Sequence, residues 1–186
     1  MKITVIGCGR WGSLITWYLD SIGHQVTLYG RAGSARMERF LATRANDLLT
    51  LPESVSLTTD LSCTLDSEVI IISIGAQGLQ ALFDELRPLE LKNKTFVLCM
   101  KGIEISTGRR LSQIAEENVD LCLLRQAVKE LPPREREIIC LRFGLEGRKE
   151  LTQKEVAQKL GISQSYISRL EKKIIRRLKE KIETKI

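Results

Sequence analysis

Short apolar runs alternate with amphipathic segments of helical length over the first 114 residues of the chain. The runs predict strands at residues 2–6, 25–29, 54–58, 69–74 and 95–100, and the periodicity between them predicts helices at 10–21, 34–49 and 77–86. Residues 69–72 read Val-Ile-Ile-Ile, which is typical of a strand buried on both faces. The alternation predicts an α/β fold with a parallel sheet covered by helices on both faces.

From about residue 116 the apolar spacing becomes helical, with no further strand pattern. A first stripe ends at Pro132-Pro133, and a second helix starts near Pro133 and ends at Gly144. We expect these stripes to form the core of a small helical bundle; they contain Leu121, Leu124, Ala127, Val128 and Leu131, then Ile138, Ile139, Leu141 and Phe143.

Residues 151–178 predict two helices joined by a tight turn. Thr152 and Glu155 have the spacing of a capping box that starts a helix at Gln153, Gly161 ends that helix, and Ser163 caps the next. The inner face is predicted to contain Val156, Ala157 and Leu160, then Tyr166, Ile167, Leu170, Ile174 and Leu178. This arrangement is typical of a helix-turn-helix that lays its second helix against DNA.

The outer face of that second helix is polar first and cationic afterwards. It contains Gln164, Ser165, Ser168, Arg169, Lys172, Lys173, Arg176 and Arg177. Residues 116–186 hold 17 Lys and Arg against 12 Asp and Glu, whereas residues 1–115 hold 12 against 11. The uneven charge favours a polyanionic partner, and the alternative is a basic face that is merely solvated.

The first predicted strand leads directly into a GxGxxG motif, Gly7-Cys8-Gly9-Arg10-Trp11-Gly12. The three glycines suit a tight turn, close approach of backbone to a pyrophosphate, and close packing of helix on strand. A second strand follows at the distance that a Rossmann-like βαβ unit requires. This second strand ends at Gly30-Arg31. The Arg31 guanidinium suits the 2′-phosphate that only NADP has, so its position favours NADP over NAD.

Other function classes find little support in the sequence. The five cysteines are scattered without a CxxC pair, which favours reduced thiols in a cytoplasmic protein. His24 is the only histidine, so we assign it a structural role and predict no metal site. No apolar run has the length of a membrane span, and we predict neither a signal sequence nor a membrane anchor.

Four segments of the first part resemble the N-terminal domain of bacterial NAD(P)-dependent glycerol-3-phosphate dehydrogenase: MKITVIGCGRWGS, GHQVTLYGR, VIIISIGAQGL and CMKGIEISTGRRLS. The resemblance implies cofactor contacts from Gly7, Gly9, Arg10, Trp11, Gly12, Arg31 and Lys101, with Lys101 also near the substrate phosphate. Two departures bear on affinity: Arg10 stands where the family has a small hydroxyl residue, and Gly75-Ala76 replaces a Pro-Ser type pair.

The resemblance ends near Ile114, which defines a truncated dinucleotide-binding domain at residues 1–114. The family's helical substrate domain provides a lysine that accepts the proton and an Arg-Asn pair that holds the substrate, and the rest of the sequence matches neither. Hydride transfer needs a base within reach of the substrate hydroxyl. We therefore predict no catalytic residue.

The segment LPPREREIICLRFGLEGRKELTQKEVAQKLGISQSYISRLEKKIIRRLKE resembles region 4 of bacterial RNA polymerase sigma factors, most closely the sporulation group. The resemblance implies a DNA-binding domain at residues 116–186 that contacts the promoter −35 element and docks on the flap of the polymerase β subunit. By position, Gln164, Ser165, Ser168 and Arg169 face bases, whereas Lys172, Lys173 and Arg176 face phosphates.

Three hypotheses follow for the whole chain. The favoured one is promoter binding in transcription initiation by a region 4 domain fused to a truncated NAD(P)-binding domain. The second is a glycerol-3-phosphate dehydrogenase fragment that binds NADP or NAD without catalysis. The third is an artificial or rearranged join of two parts that have no common function.

Overall fold

The computed structural model describes residues 1–183, which divide into two compact units, Met1–Asn118 and a second that begins at Val119. None of the helices within residues 1–183 combines the length and the apolar character needed to cross a membrane.

The first unit contains a five-stranded parallel sheet, as the alternating pattern predicts. Its strands are β1 (Lys2–Ile6), β2 (Gln25–Tyr29), β3 (Ser56–Thr58), β4 (Val69–Ile72) and β5 (Thr95–Leu98), in the order β3-β2-β1-β4-β5. The chain order reverses between β1 and β4, so a crevice opens at their carboxyl ends. The predicted strand at 69–74 stops at Ile72, which leaves Ser73 and Ile74 in the loop at that crevice.

Helices cover both faces of this sheet, which confirms the Rossmann-like fold. On one face α1 (Arg10–Ser21) and α2 (Ala35–Thr43) pack over a core that contains Val5, Leu28, Met37 and Phe40. On the other face α3 (Leu79–Leu86) and the start of α4 (Leu111–Lys129) pack over Ile70, Ile72, Phe83 and Ile114.

The second helix of this unit is shorter than the predicted 34–49 segment. It ends at Thr43 because Arg44 adopts a left-handed conformation with φ of 55°. The Arg44 guanidinium then donates hydrogen bonds to the carbonyl oxygens of Leu51, Pro52 and Val55. The Asn46 side chain accepts from the backbone N–H groups of Leu48 and Leu49, a local turn that competes with helix.

The second unit is the predicted helical bundle. It contains the end of α4, then α5 (Pro133–Arg142), α6 (Gln153–Leu160) and α7 (Gln164–Glu183). Its buried core contains Ala127, Val128, Leu131, Ile138, Ile139, Cys140, Leu141, Val156, Ala157, Ile167, Ile174 and Leu178.

Three residues that were predicted to face this core are exposed instead: Leu121, Phe143 and Tyr166. Tyr166 lies in the first turn of α7, one residue before the helix meets the core at Ile167. Phe143 follows the last residue of α5, and its ring lies 5.3 Å from the Arg142 guanidinium carbon. Apolar spacing predicts a stripe, but it does not show where the partner helix stops covering it.

Candidate nucleotide cleft and nucleic-acid interface

A cleft of about 740 Å³ opens at the carboxyl ends of β1, β2 and β4. Its volume lies within the range of small-molecule sites, and its place is the switch point where ligands bind in doubly wound sheets. The residues that line it are Ile6, Gly7, Cys8, Gly9, Arg10, Trp11, Tyr29, Gly30, Arg31, Ser34, Arg36, Ser73, Ile74, Gly75, Ala76, Gln77, Gly78, Leu82 and Cys99.

The glycine motif permits a turn that no side chain would allow. Gly7 has a φ of 117°, and a Cβ at this position would overlap the Ser73 carbonyl oxygen. A Cβ on Gly12 would overlap the Gly7 carbonyl oxygen, so α1 starts in direct contact with the end of β1. Gly12 itself is buried beneath the cleft. These are the steric roles that the GxGxxG spacing predicts.

The start of α1 offers unsatisfied hydrogen-bond donors to the cleft. Its N-cap residue, Gly9, has no side chain and therefore leaves the first-turn N–H groups without a side-chain acceptor. The 12-residue helix also directs the positive end of its dipole toward the same space. An anionic group is the natural occupant of such a position.

Three arginines surround this anion position: Arg10, Arg31 and Arg36. Within residues 1–183 none of them forms an ion pair, and no acidic side chain lines the cleft. A Cβ on Gly78 would lie 3.8 Å from Arg31 Nη2, so the Arg31 guanidinium extends toward the loop after β4. The family resemblance identified Arg10, and the position after the second strand identified Arg31, whereas Arg36 lies on α2 and had no sequence signal.

Gln77 joins the cleft to the loop after β5. Its Nε2 donates to the Ile103 carbonyl oxygen at 3.0 Å, and its Oε1 accepts from the Ile105 N–H at 3.0 Å. The Gln77 amide therefore binds a carbonyl oxygen and an N–H group of a segment that lies 26 and 28 residues further along the chain. Gln77 therefore has a positioning role at the edge of the cleft, which no local sequence pattern predicted.

Lys101 lies in the loop that Gln77 holds. Its side chain is exposed, and it is absent from the residues that line the cleft in the described part of the chain. The structure therefore brings Gly7, Gly9, Arg10, Trp11 and Arg31 together at the cleft, sets Gly12 beneath it, and leaves Lys101 outside.

The thiols of the cleft are unsuited to nucleophilic chemistry. Burial raises the pKa of Cys8 above its ordinary value, although a hydrogen bond with Ser34 and the Arg36 charge act in the opposite direction. Burial also raises the pKa of Cys99. Only a thiolate is a strong nucleophile, and the raised pKa of each thiol disfavours that form.

The helix-turn-helix forms as its sequence predicts. The Thr152 hydroxyl accepts from the Glu155 N–H at 3.3 Å, and the Glu155 carboxylate accepts from the Thr152 N–H at 2.7 Å, which completes the capping box. Gly161 ends α6 in a left-handed conformation. The Ser163 hydroxyl then accepts from the Tyr166 N–H at 3.3 Å at the start of α7.

The outward face of α7 is open along its first four turns. Gln164, Ser165, Arg169, Lys172, Lys173 and Arg176 are exposed, and Ser168 is half-buried. None of the four cations in this set forms an ion pair with a residue in the range 1–183. The face therefore presents neutral hydrogen-bonding groups at its start and uncompensated positive charge afterwards.

Negative charge is kept off this face by an internal ion pair. Glu171, the first acidic residue of α7, accepts from Arg142 Nε at 2.9 Å and from Gln153 Nε2 at 3.2 Å. Arg142 also donates to the Leu151 carbonyl oxygen at 2.6 Å. These bonds join α5 and α6 to α7 and neutralise Glu171 behind the exposed face.

Arg177 differs from its neighbours on the predicted outer face. Its Nη1 lies 2.5 Å from Glu135 Oε2 on α5, and the Glu135 side chain is only 16% exposed. Arg177 was placed on the outer face with the other cations, and the structure shows that its guanidinium is paired with Glu135. Helical spacing cannot reveal a partner 42 residues away.

Two family profiles match the chain. The profile described as the N-terminus of NAD-dependent glycerol-3-phosphate dehydrogenase matches residues 2–128. The profile described as sigma-70, region 4, matches residues 127–180.

Two curated relatives and one solved structure agree with these matches. A glycerol-3-phosphate dehydrogenase [NAD(P)+] of Thermoanaerobacter sp. is 35% identical over 121 residues, which are 63% of this chain and 36% of that protein. An RNA polymerase sigma-E factor of Clostridium acetobutylicum is 39% identical over 130 residues, which are 70% of this chain and 55% of that protein. The crystal structure of a Coxiella burnetii glycerol-3-phosphate dehydrogenase has a TM-score of 0.56 at 22% identity, covers 63% of this chain and 37% of that one, and supports the fold. The chain thus spans about a third of the dehydrogenase and about half of the sigma factor.

Proposed function

Because the chain belongs to the NAD-dependent glycerol-3-phosphate dehydrogenase N-terminus family and also matches sigma-70 region 4, we propose that it binds promoter DNA through a region 4 module joined to an NAD(P)-binding domain. The observation that supports DNA binding most strongly is the outward face of α7, where polar groups are followed by exposed cations that form no ion pair within residues 1–183. The DNA-binding domain corresponds to residues 116–186 in this proposal, and the nucleotide-binding domain to residues 1–114.

The order of groups along α7 suits a helix that enters the major groove by its N-terminal end. Gln164, Ser165, Ser168 and Arg169 contact base edges of a −35 element in this proposal, and a Gln or Arg pair with one base gives about 1–3 kcal/mol of discrimination. Three further cations, Lys172, Lys173 and Arg176, contact phosphates. Such contacts stabilise binding to every sequence and make it sensitive to salt.

Selection of duplexes from a random pool by the full chain tests this proposal. We expect enrichment of one short motif, and we expect Gln164→Ala or Arg169→Ala to broaden the enriched set at single positions. Lys173→Ala serves as the matched control, because loss of a phosphate contact weakens all duplexes alike. A pool that stays unenriched would refute sequence-specific binding. Three variants with the same uniform loss would refute the assignment of base contacts to the start of α7 and phosphate contacts to its later turns. Binding of the isolated β flap of RNA polymerase core to the same chain tests the second proposed partner.

A second proposed function is binding of NADP or NAD in the cleft. It is supported by the uncapped start of α1 beside Arg10, Arg31 and Arg36, with no acidic residue in the lining. The pyrophosphate sits over the start of α1, and Arg31 binds the 2′-phosphate of NADP. Trp11 lines the cleft, so NADPH bound there should quench the tryptophan fluorescence. Trp17 lies about two turns further along α1 and outside the lining. Fluorescence that does not change with NADPH, together with good DNA binding, would refute this function and leave the first intact.

Dehydrogenase activity is not expected from this cleft. The described lining contains no Lys, His, Asp or Glu, and burial raises the pKa of the Cys8 thiol, which disfavours the thiolate. Hydride transfer from glycerol 3-phosphate requires a base beside its hydroxyl. We propose a cleft that binds cofactor without turnover, and formation of NADPH from NADP and glycerol 3-phosphate would contradict it.

A further inference from the structure

A second cavity lies beside the cleft, along α2. Its volume is about 430 Å³, which is within the range of small-molecule sites. Cys8, Arg10 and Arg36 line both spaces, so these three residues lie between them. We call the second cavity the α2 pocket. The rest of its lining is not shared with the cleft and consists of Arg39, Phe40, Asn46, Asp47 and Leu48.

Three guanidinium groups reach the α2 pocket from two helices. Arg36 and Arg39 are three residues apart on α2, which places them on one side of that helix. The Arg36 guanidinium extends to the start of α1, because a Cβ on Gly9 would lie 3.9 Å from Arg36 Nη1. Arg10, the first residue of α1, completes the set. The pocket therefore collects positive charge from both helices.

One carboxylate offsets part of this charge. Asp47 Oδ1 accepts a hydrogen bond from Arg39 Nη1 at 2.6 Å. Asp47 is the only acidic residue that lines the pocket within residues 1–183, so three positive charges and one negative charge leave +2. A phosphate monoester carries about −1.5 to −2 at neutral pH, which matches this charge.

A short loop after α2 forms another wall of the pocket, and its shape is fixed before any ligand binds. Asn46 Nδ2 donates to the hydroxyl oxygen of Ser13, a buried residue of α1, at 2.8 Å. Ala45 and Thr50 form an antiparallel bridge across the same loop. A wall that is already ordered lowers the entropic cost of binding.

The lining also contains apolar side chains. Phe40 is only 1% exposed, whereas Leu48 is 60% exposed. An aromatic ring and an aliphatic side chain suit an organic group, and arginine guanidiniums suit phosphate oxygens because they can donate two parallel hydrogen bonds. The combination fits a small phosphate monoester better than it fits the free anion.

We propose that the α2 pocket binds a small phosphate monoester. Arg10, Arg36 and Arg39 hold the phosphate group, and the organic part of the ligand contacts Phe40 and Leu48. The proposal rests on the lining of the α2 pocket, and it requires neither a dinucleotide in the cleft nor DNA on α7.

Calorimetric titration of the full chain with phenyl phosphate and with inorganic phosphate, at constant ionic strength, tests the proposal. We expect phenyl phosphate to bind more tightly, because only it has a group for the apolar side chains. Arg39→Gln should weaken its binding about tenfold or more, since hydrogen bonds to charged groups are strong. Arg110→Gln is the matched control, because Arg110 is an exposed arginine of the same unit outside both cavities, and it should leave the affinity unchanged.

Asp47→Asn separates a binding role from a structural one. It breaks the same ion pair as Arg39→Gln but raises the charge of the pocket by one unit, so it should tighten binding of phenyl phosphate about threefold. Weaker binding in both variants would mean that the pair only stabilises the loop, and it would overturn the proposal.

Two further outcomes would also overturn the proposal. Phenyl phosphate that binds no more tightly than inorganic phosphate would indicate a site for the free anion. Arg31 lines the cleft and not the α2 pocket, so a loss of affinity with Arg31→Gln and none with Arg39→Gln would place the ligand in the cleft.

Discussion

The contrast between Lys173 and Arg177 gives the sharpest prediction for the DNA interface. Both residues are basic and lie four positions apart on α7, but Lys173 is free within the described chain and Arg177 is paired with Glu135. For duplex DNA the logarithm of the binding constant falls with the logarithm of salt concentration, with a slope of about −0.9 per phosphate contact. Lys172, Lys173 and Arg176 together should give a slope of about −2.7.

These values translate into measurable changes. Between about 50 and 200 mM salt each phosphate contact changes affinity about 3.5-fold, so three contacts give about a 40-fold loss. Lys173→Ala should reduce the slope to about −1.8, whereas Arg177→Ala should leave it near −2.7. Arg177→Ala should instead lower the free energy of unfolding by about 1 kcal/mol, because Glu135 loses its partner.

Fluorescence anisotropy of a labelled duplex, titrated at several salt concentrations, measures the slopes, and chemical denaturation measures the stabilities. If Arg177→Ala reduced the slope as much as Lys173→Ala, the ion pair with Glu135 would not hold Arg177 away from the DNA. If Lys173→Ala left the slope unchanged, the assignment of phosphate contacts to this face would be wrong.

Three further predictions concern the cleft and the two cores. Arg31→Ala should weaken binding of NADPH at least tenfold in a fluorescence titration and leave NADH affected far less, because only NADPH has the 2′-phosphate; equal losses would contradict a phosphate contact. Gln77→Ala should weaken NADPH binding several-fold by releasing the loop at Ile103 from the cleft edge, whereas Gln80→Ala, one turn away, should not; calorimetry that finds the same loss for both would contradict the positioning role. Ile167→Ala should destabilise the second unit by about 2–5 kcal/mol because its side chain is fully buried, whereas Tyr166→Ala should cost far less in the same denaturation assay; comparable losses would mean that Tyr166 faces the core.

The sequence predicts those features that depend on local chemistry. The capping box at Thr152 and Glu155, the left-handed helix end at Gly161 and the GxGxxG turn all follow from residues a few positions apart. The parallel pairing of β1 with β2 also follows, because the GxGxxG motif and the strand after it predict a βαβ unit. For these elements the amino-acid sequence alone is sufficient. The place of β4 beside β1 was not predicted.

Features that depend on distant contacts do not follow from the sequence. Gln77 has no local signal, because its partners lie 26 and 28 residues away. The same holds for Arg177, whose partner is brought near by the packing of α5 on α7. Tyr166 has the spacing of a core residue and lies outside the core because α7 is covered only from Ile167 onward. Periodicity predicts one face of a helix, and the tertiary fold decides how far along that face burial extends.

The central claim, promoter binding by α7, is tested most directly by the affinity of the full chain for one selected duplex against a scrambled duplex of equal length and composition at the same salt concentration. Two base contacts of about 1–3 kcal/mol each predict a preference of at least tenfold for the selected duplex. That preference should fall when Gln164 or Arg169 is replaced by Ala. Equal affinity for the two duplexes would mean that α7 only attracts phosphates, and it would contradict sequence-specific binding.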